Sequence, residues 1–73
     1  MTKQVFWAGQ VSKCDTCGTP FDKVFYDAKT TDGPWACMCP SCQTFGPGIG
    51  KTGLGLGQKY VKQEDGRWLK TEG

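Results

Sequence analysis

The chain has 73 residues, five cysteines and no histidine, with nine basic against seven acidic side chains and a formal net charge of +2. So short a chain has room for a single domain, residues 1–73, and none for separate catalytic and regulatory units. With a hydrophobic fraction of 37%, apolar burial barely offsets the roughly 1.5 kcal/mol per residue that ordering costs, which excludes a fold held by a hydrophobic core alone.

Taken in chain order, the opening Gln4-Val5-Phe6-Trp7-Ala8-Gly9-Gln10-Val11 is strand-like, because valine and the aromatics favour an extended, half-buried surface. Neither this start nor any later stretch has an apolar run suited to a signal peptide or to the roughly 18 residues of a membrane span, so a reducing cytoplasm is expected. Cys14-Asp15-Thr16-Cys17-Gly18 follows, and Thr19-Pro20 turns the chain. A second strand is predicted over Lys23–Asp27, then turn chemistry at Thr31-Asp32-Gly33-Pro34, then a returning strand over Trp35–Met38. This delivers Cys39-Pro40-Ser41-Cys42, after which there is room for a single helical turn. From Phe45 to Gly57 six glycines exclude a helix interior and predict a loop or bulged strand. Gln58–Gln63, Glu64-Asp65-Gly66 and Arg67–Lys70 then predict a second hairpin. The expected fold is small, mostly β and metal-stabilised, with three to five antiparallel strands.

Twenty-one residues separate the pairs Cys14-x-x-Cys17 and Cys39-x-x-Cys42, the spacing of a four-cysteine zinc site. Two residues between cysteines let both sulfurs of a turn face one ion, with Gly18 allowing close approach and Pro40 stiffening the second pair. In a reducing compartment such pairs read as metal ligands before disulfides, and five is a poor count for a fully bridged framework. A redox dithiol of the thioredoxin kind would need a βαβ context that is missing. The expected cofactor is therefore one structural zinc on Cys14, Cys17, Cys39 and Cys42, contributing on the order of 10 kcal/mol to folding. Four thiolates leave no open coordination position, so the metal is not expected to be catalytic. Together the thiolates and a divalent ion contribute −2, which brings the +2 chain near neutrality.

Cys37 is left over and is expected to be an inert thiol on the hairpin strand, since no histidine can act as its base. Phe45-Gly46-Pro47-Gly48-Ile49-Gly50-Lys51-Thr52 ends like a phosphate loop, but Phe45 stands where the pattern needs glycine and the chain is too short for the parallel sheet around it. Two readings stay open for the glycine-rich stretch, a backbone surface lying against RNA or a protein and a flexible connector. No paired acid–base constellation stands out, so no enzyme activity is expected. Lys59, Lys62, Arg67 and Lys70 beside Tyr60 and Trp68 could grip a single strand of nucleic acid, although Glu64, Asp65 and Glu72 offset their charge.

Two cysteine pairs joined by a β-hairpin resemble a zinc ribbon. Val24-Phe25-Tyr26-Asp27-Ala28-Lys29-Thr30, Gly33-Pro34-Trp35-Ala36, Met38-Cys39 and Gly53-Leu54-Gly55-Leu56-Gly57-Gln58-Lys59-Tyr60 resemble a group of small phage-encoded zinc-ribbon proteins. The likeness covers roughly residues 14–63 and departs at Gln43, where glycine often follows the second pair, and at the extra Cys37. Length and motif set also resemble the RNA-polymerase-binding inhibitors and antiterminators of lytic Xanthomonas phages. That resemblance implies a monomeric regulator in the host bacterial cytoplasm. It would bind host RNA polymerase, block initiation at host promoters and promote readthrough of terminators. The alternative is a small zinc ribbon acting directly on DNA or RNA. Contact with the polymerase is expected through Gln4, Val5, Phe6 and Trp7, pairing edge to edge with an extended segment. Lys59, Lys62 and Arg67 are expected to lie beside nascent RNA or an acidic surface.

Overall fold

The computed structural model describes residues 4–7, 9 and 11–73. Four strands and one short helix follow in the order β1 (Val24–Lys29), β2 (Trp35–Met38), α1 (Pro40–Phe45), β3 (Gly57–Lys62) and β4 (Trp68–Glu72). All neighbouring strands are antiparallel, and the sheet order is β2-β1-β3-β4. This is the small, mostly-β fold the sequence predicts. Among the described residues no helix is long and apolar enough to cross a membrane.

Both hairpins form where the turn residues stand. In the first, Lys29 pairs with Trp35, and Thr30 closes the connection by donating its N–H and its hydroxyl to the Pro34 carbonyl. In the second, Lys62 pairs with Trp68, Gln63 N–H donates to the Arg67 carbonyl, and Gly66 N–H donates back to Gln63. β1 runs two residues beyond the predicted Asp27, because β3 offers partners as far as Gly57 opposite Ala28.

The helix differs from expectation. It begins at Pro40, before Cys42 rather than after it, with Cys39 as its extended N-cap. Proline suits this first turn because its missing N–H would have no partner there. The glycine-rich segment is a loop, as one of the two predictions has it, and is not a free connector. Thr31 N–H donates to Pro47, Gly48 N–H to Cys42, and Lys29 N–H to Leu56, so the segment is strapped back onto the end of β1. At Gly48 a side chain would begin 2.5 Å from the Gln43 Cα, and at Gly57 2.6 Å from the Ala28 Cβ. Here glycine is required by close approach. Gln43 is itself buried and donates from Nε2 to the Lys51 carbonyl, tying strap to helix.

Alternation along β1 assigns its side chains to two faces. Ala28 joins Cys14, Met38 and Cys42 in one buried cluster, with Phe21, Tyr26, Ala36 and Cys39 packed against it. Phe25, fully buried, is the hub of the other. It stacks on Tyr60 at 5.0 Å and Phe21 at 5.1 Å, and meets Trp68 at 5.0 Å and Trp7 at 5.3 Å edge-on.

The opening segment forms one bridge, Phe6 opposite Leu69, rather than a named strand. Trp7 N–H donates to Trp68 and Lys70 N–H donates to Val5, so this segment already covers the outer edge of β4. Ala8 and Gln10, also part of the predicted strand, lie outside the described residues. The opposite edge is engaged at Cys37, whose N–H donates to Asp15 Oδ2 while its carbonyl accepts from Asp15 N–H. The chain itself thus occupies part of the outer edges of β4 and β2, and the Gln4–Trp7 segment lies outermost beside β4.

Candidate metal centre

Each cysteine pair is positioned by local backbone chemistry. Cys14 and Cys17 sit at the tip of a small loop closed by Lys13 bridging Pro20, by Cys14 N–H donating to Thr19 and by Gly18 N–H donating to Cys14. Gly18 has φ +77° with nothing within 4 Å of a would-be side chain, so its role is the left-handed turn and not the close approach expected of it. The second pair is carried by the N-cap and first turn of α1, where Gln43 N–H donates to Cys39 and Gly46 N–H to Cys42. Two different local structures therefore present the same two-residue gap. Asp15 brings them together, holding the first loop against β2 two residues before Cys39.

The sulfurs of Cys14, Cys17, Cys39 and Cys42 all lie within 4.8 Å of one another and can hold a metal ion. Around tetrahedral zinc, with metal–sulfur bonds of about 2.3 Å, neighbouring sulfurs stand roughly 3.8 Å apart; Cys17 Sγ and Cys39 Sγ are 3.7 Å apart. The donor set is compatible with zinc. Burial and the neighbouring sulfurs push the Cys42 thiol up to about 12, so it would ionise at neutral pH only beside a cation. Cys17 moves the other way, held at about 6 by the Thr19 hydroxyl and backbone N–H, with Thr19 Oγ1 3.2 Å from its sulfur. For Cys14, burial opposes ionisation but backbone donors from Cys17, Cys39 and Thr16 outweigh it, and the thiol falls below its usual range. A divalent ion shared by all four resolves that conflict by stabilising every thiolate at once.

The site is lopsided. Cys14 and Cys42 are 1% and 9% exposed, whereas Cys17 is exposed and Cys39 half-buried. The latter two line a cleft of about 460 Å³ together with Pro20, Phe21 and Val24. Cys37 stays outside the cluster, opposite Asp27 on β1. Burial, then the charges of Asp27 and Asp15, push its thiol up to about 11, which makes it a poor nucleophile at neutral pH.

The residues expected to meet a partner are dispersed. Gln4 and Val5 are exposed and Phe6 half-exposed, but Trp7 turns inward between Phe25 and Tyr60, and serves the core. Lys59 pairs with Glu72 at 3.6 Å, and Arg67 pairs with Asp65 at 2.7 Å while lying over the Phe6 ring at 4.2 Å. Lys62 sits 5.9 Å over Trp68. All three cations have partners within the chain. Sequence reasoning missed Asp15, whose part depends on β2 lying beside it, and it missed Phe45 and Leu54, left 88% and 98% exposed at the glycine strap. An aromatic or leucine beside glycines carries no signal of exposure until the strap's path is known.

No protein-family model matches this chain, and no curated protein or solved structure does.

Proposed function

We propose that the chain is a zinc-stabilised regulator of transcription, encoded by a phage, that binds the RNA polymerase of its bacterial host in the cytoplasm as a monomer. There it inhibits initiation at host promoters and promotes antitermination. The resemblance in length and motif set to the RNA-polymerase-binding regulators of lytic Xanthomonas phages suggests the target, and the four-sulfur centre supports the kind of molecule. Zinc on four thiolates is a crosslink with no position left for water or substrate, which fits a recognition module rather than an enzyme. Three cations weigh toward protein over nucleic acid. Lys59, Lys62 and Arg67 are each engaged by an acid or an aromatic ring of the same chain, and the zinc-loaded molecule is near neutral. Phosphate binding draws its affinity from cations free to displace counterions, so a protein surface is the better fit. Val5 and Phe6 on the segment bridged to β4, and Phe45 and Leu54 at the strap, offer apolar contacts.

The test is retention of bacterial RNA polymerase on the immobilised zinc-loaded chain after exhaustive nuclease treatment. Polymerase retained, with runoff from a host promoter falling and readthrough of a terminator rising in a purified transcription reaction, is the expected result. Signal lost with the nucleic acid, together with a steep salt dependence, favours the direct nucleic-acid binder.

A further inference from the structure

The two halves of the metal centre differ in access, and that difference has a chemical consequence. Cys14 is buried and Cys42 nearly so, at 1% and 9% exposed, while Cys17 and Cys39 face the 460 Å³ cleft with their sulfurs 3.7 Å apart. A small oxidant entering the cleft meets these two first, and it meets them as a pair. We propose that Cys17 and Cys39 are a peroxide-reactive couple whose oxidation to a disulfide dismantles the metal centre, an inference that rests on the site holding zinc.

The step balances with hydrogen peroxide as the oxidant. Cys17 Sγ attacks one peroxide oxygen, the O–O bond breaks, hydroxide leaves and takes a proton from solvent, and a sulfenic acid remains on Cys17. Cys39 Sγ attacks that sulfur, the S–S bond forms, and the hydroxyl departs with a second solvent proton as water. The two sulfurs lose two electrons, the peroxide gains two, and two waters result. Only Cys14 and Cys42 then remain as ligands, too few to retain the ion against competing chelators. Cys37 does not serve as the resolving thiol: it pairs with Asp27, next in sequence to Met38 of the metal cluster, and alternation sets it on the opposite face of the sheet.

Loss of the ion removes the crosslink between the Cys14–Cys17 loop and α1, so an oxidising environment would switch the domain off. Reduction and fresh zinc would restore it. The experiment uses the full-length zinc-loaded chain. Its zinc content is measured first, by atomic emission, and should be one per chain. Hydrogen peroxide is then titrated in with a zinc-sensitive dye present, and the product is digested and mapped for cross-links. One zinc released per two-electron oxidation, a Cys17–Cys39 cross-link, recovery with dithiothreitol plus zinc, and the same response in Cys37→Ser are expected. A brief iodoacetamide pulse before oxidation should label Cys17 faster than Cys14 or Cys42 by more than about tenfold. Zinc absent at the outset overturns both this inference and the metal reading. Zinc present but retained under peroxide, a cross-link involving Cys14, Cys37 or Cys42, or equal labelling of all four ligands overturns this inference alone.

Discussion

On one face of the sheet, Ala28 and Met38 pack with Cys14 and Cys42 beside the sulfur donor set; on the other, Phe25 is wrapped by four aromatic rings. The first face carries four sulfurs able to hold a metal ion, whose bonds would be strong, directional and lost together. The second depends on area and on ring pairs contributing about 0.5 to 1.5 kcal/mol each beyond their burial, which are lost one at a time. Phe21 touches both clusters. A chain of this size closes its fold by joining a concentrated crosslink to a diffuse one through a single sheet, neither being sufficient alone.

The comparison is broken most completely on the metal face. Cys42→Ser, or chelation of the wild-type chain, should remove on the order of 10 kcal/mol and unfold the domain, seen as loss of the near-ultraviolet aromatic circular dichroism together with the zinc. If the aromatic signal persists without zinc, the two faces are independent. Next in size is Phe25→Ala, expected to cost about 3 to 5 kcal/mol because the hub ring is fully buried. Denaturant unfolding of the zinc-loaded variant measures that cost, and its zinc content should stay at one per chain while it remains folded.

Gly48→Ala sharpens the division by loosening the strap between the two. Its new Cβ would begin 2.5 Å from the Gln43 Cα, so α1 or the strap must shift, at about 1 to 3 kcal/mol. A stability equal to wild type would show the strap to be dispensable. The smallest effect belongs to Asp15→Ala, which leaves the Cys37 N–H to water at about 1 kcal/mol or less. Its sharper signature is kinetic: zinc should transfer to a chelator faster, because the first loop is no longer held against β2.

Much of this architecture was legible in the chain. The cysteine spacing, the Thr31–Pro34 turn and the Glu64-Asp65-Gly66 turn are local signals, and the centre and both hairpins follow from them. Other features were out of reach because they depend on neighbours far apart in sequence. Trp7 reads as a possible docking residue until Phe25 and Tyr60 arrive beside it. The glycines leave a surface and a connector equally open until Gln43 and Ala28 show how little room stands over Gly48 and Gly57. That Glu64, Asp65 and Glu72 offset the cations of the last hairpin is legible in the sequence; that Glu72 meets Lys59 and the Phe6 ring meets Arg67 is not.

By itself, the sequence determined the donor set, the strand-forming runs and the turns between them, since thiolate chemistry, β propensity and turn geometry act over a few residues. The tertiary structure alone decided that β3 joins the sheet beside β1, that the second cysteine pair rides on a helix, and that two of the four cysteines are buried or nearly so while two face a cleft. These depend on which surfaces exclude water from one another, and that is settled only when segments distant in the chain pack together.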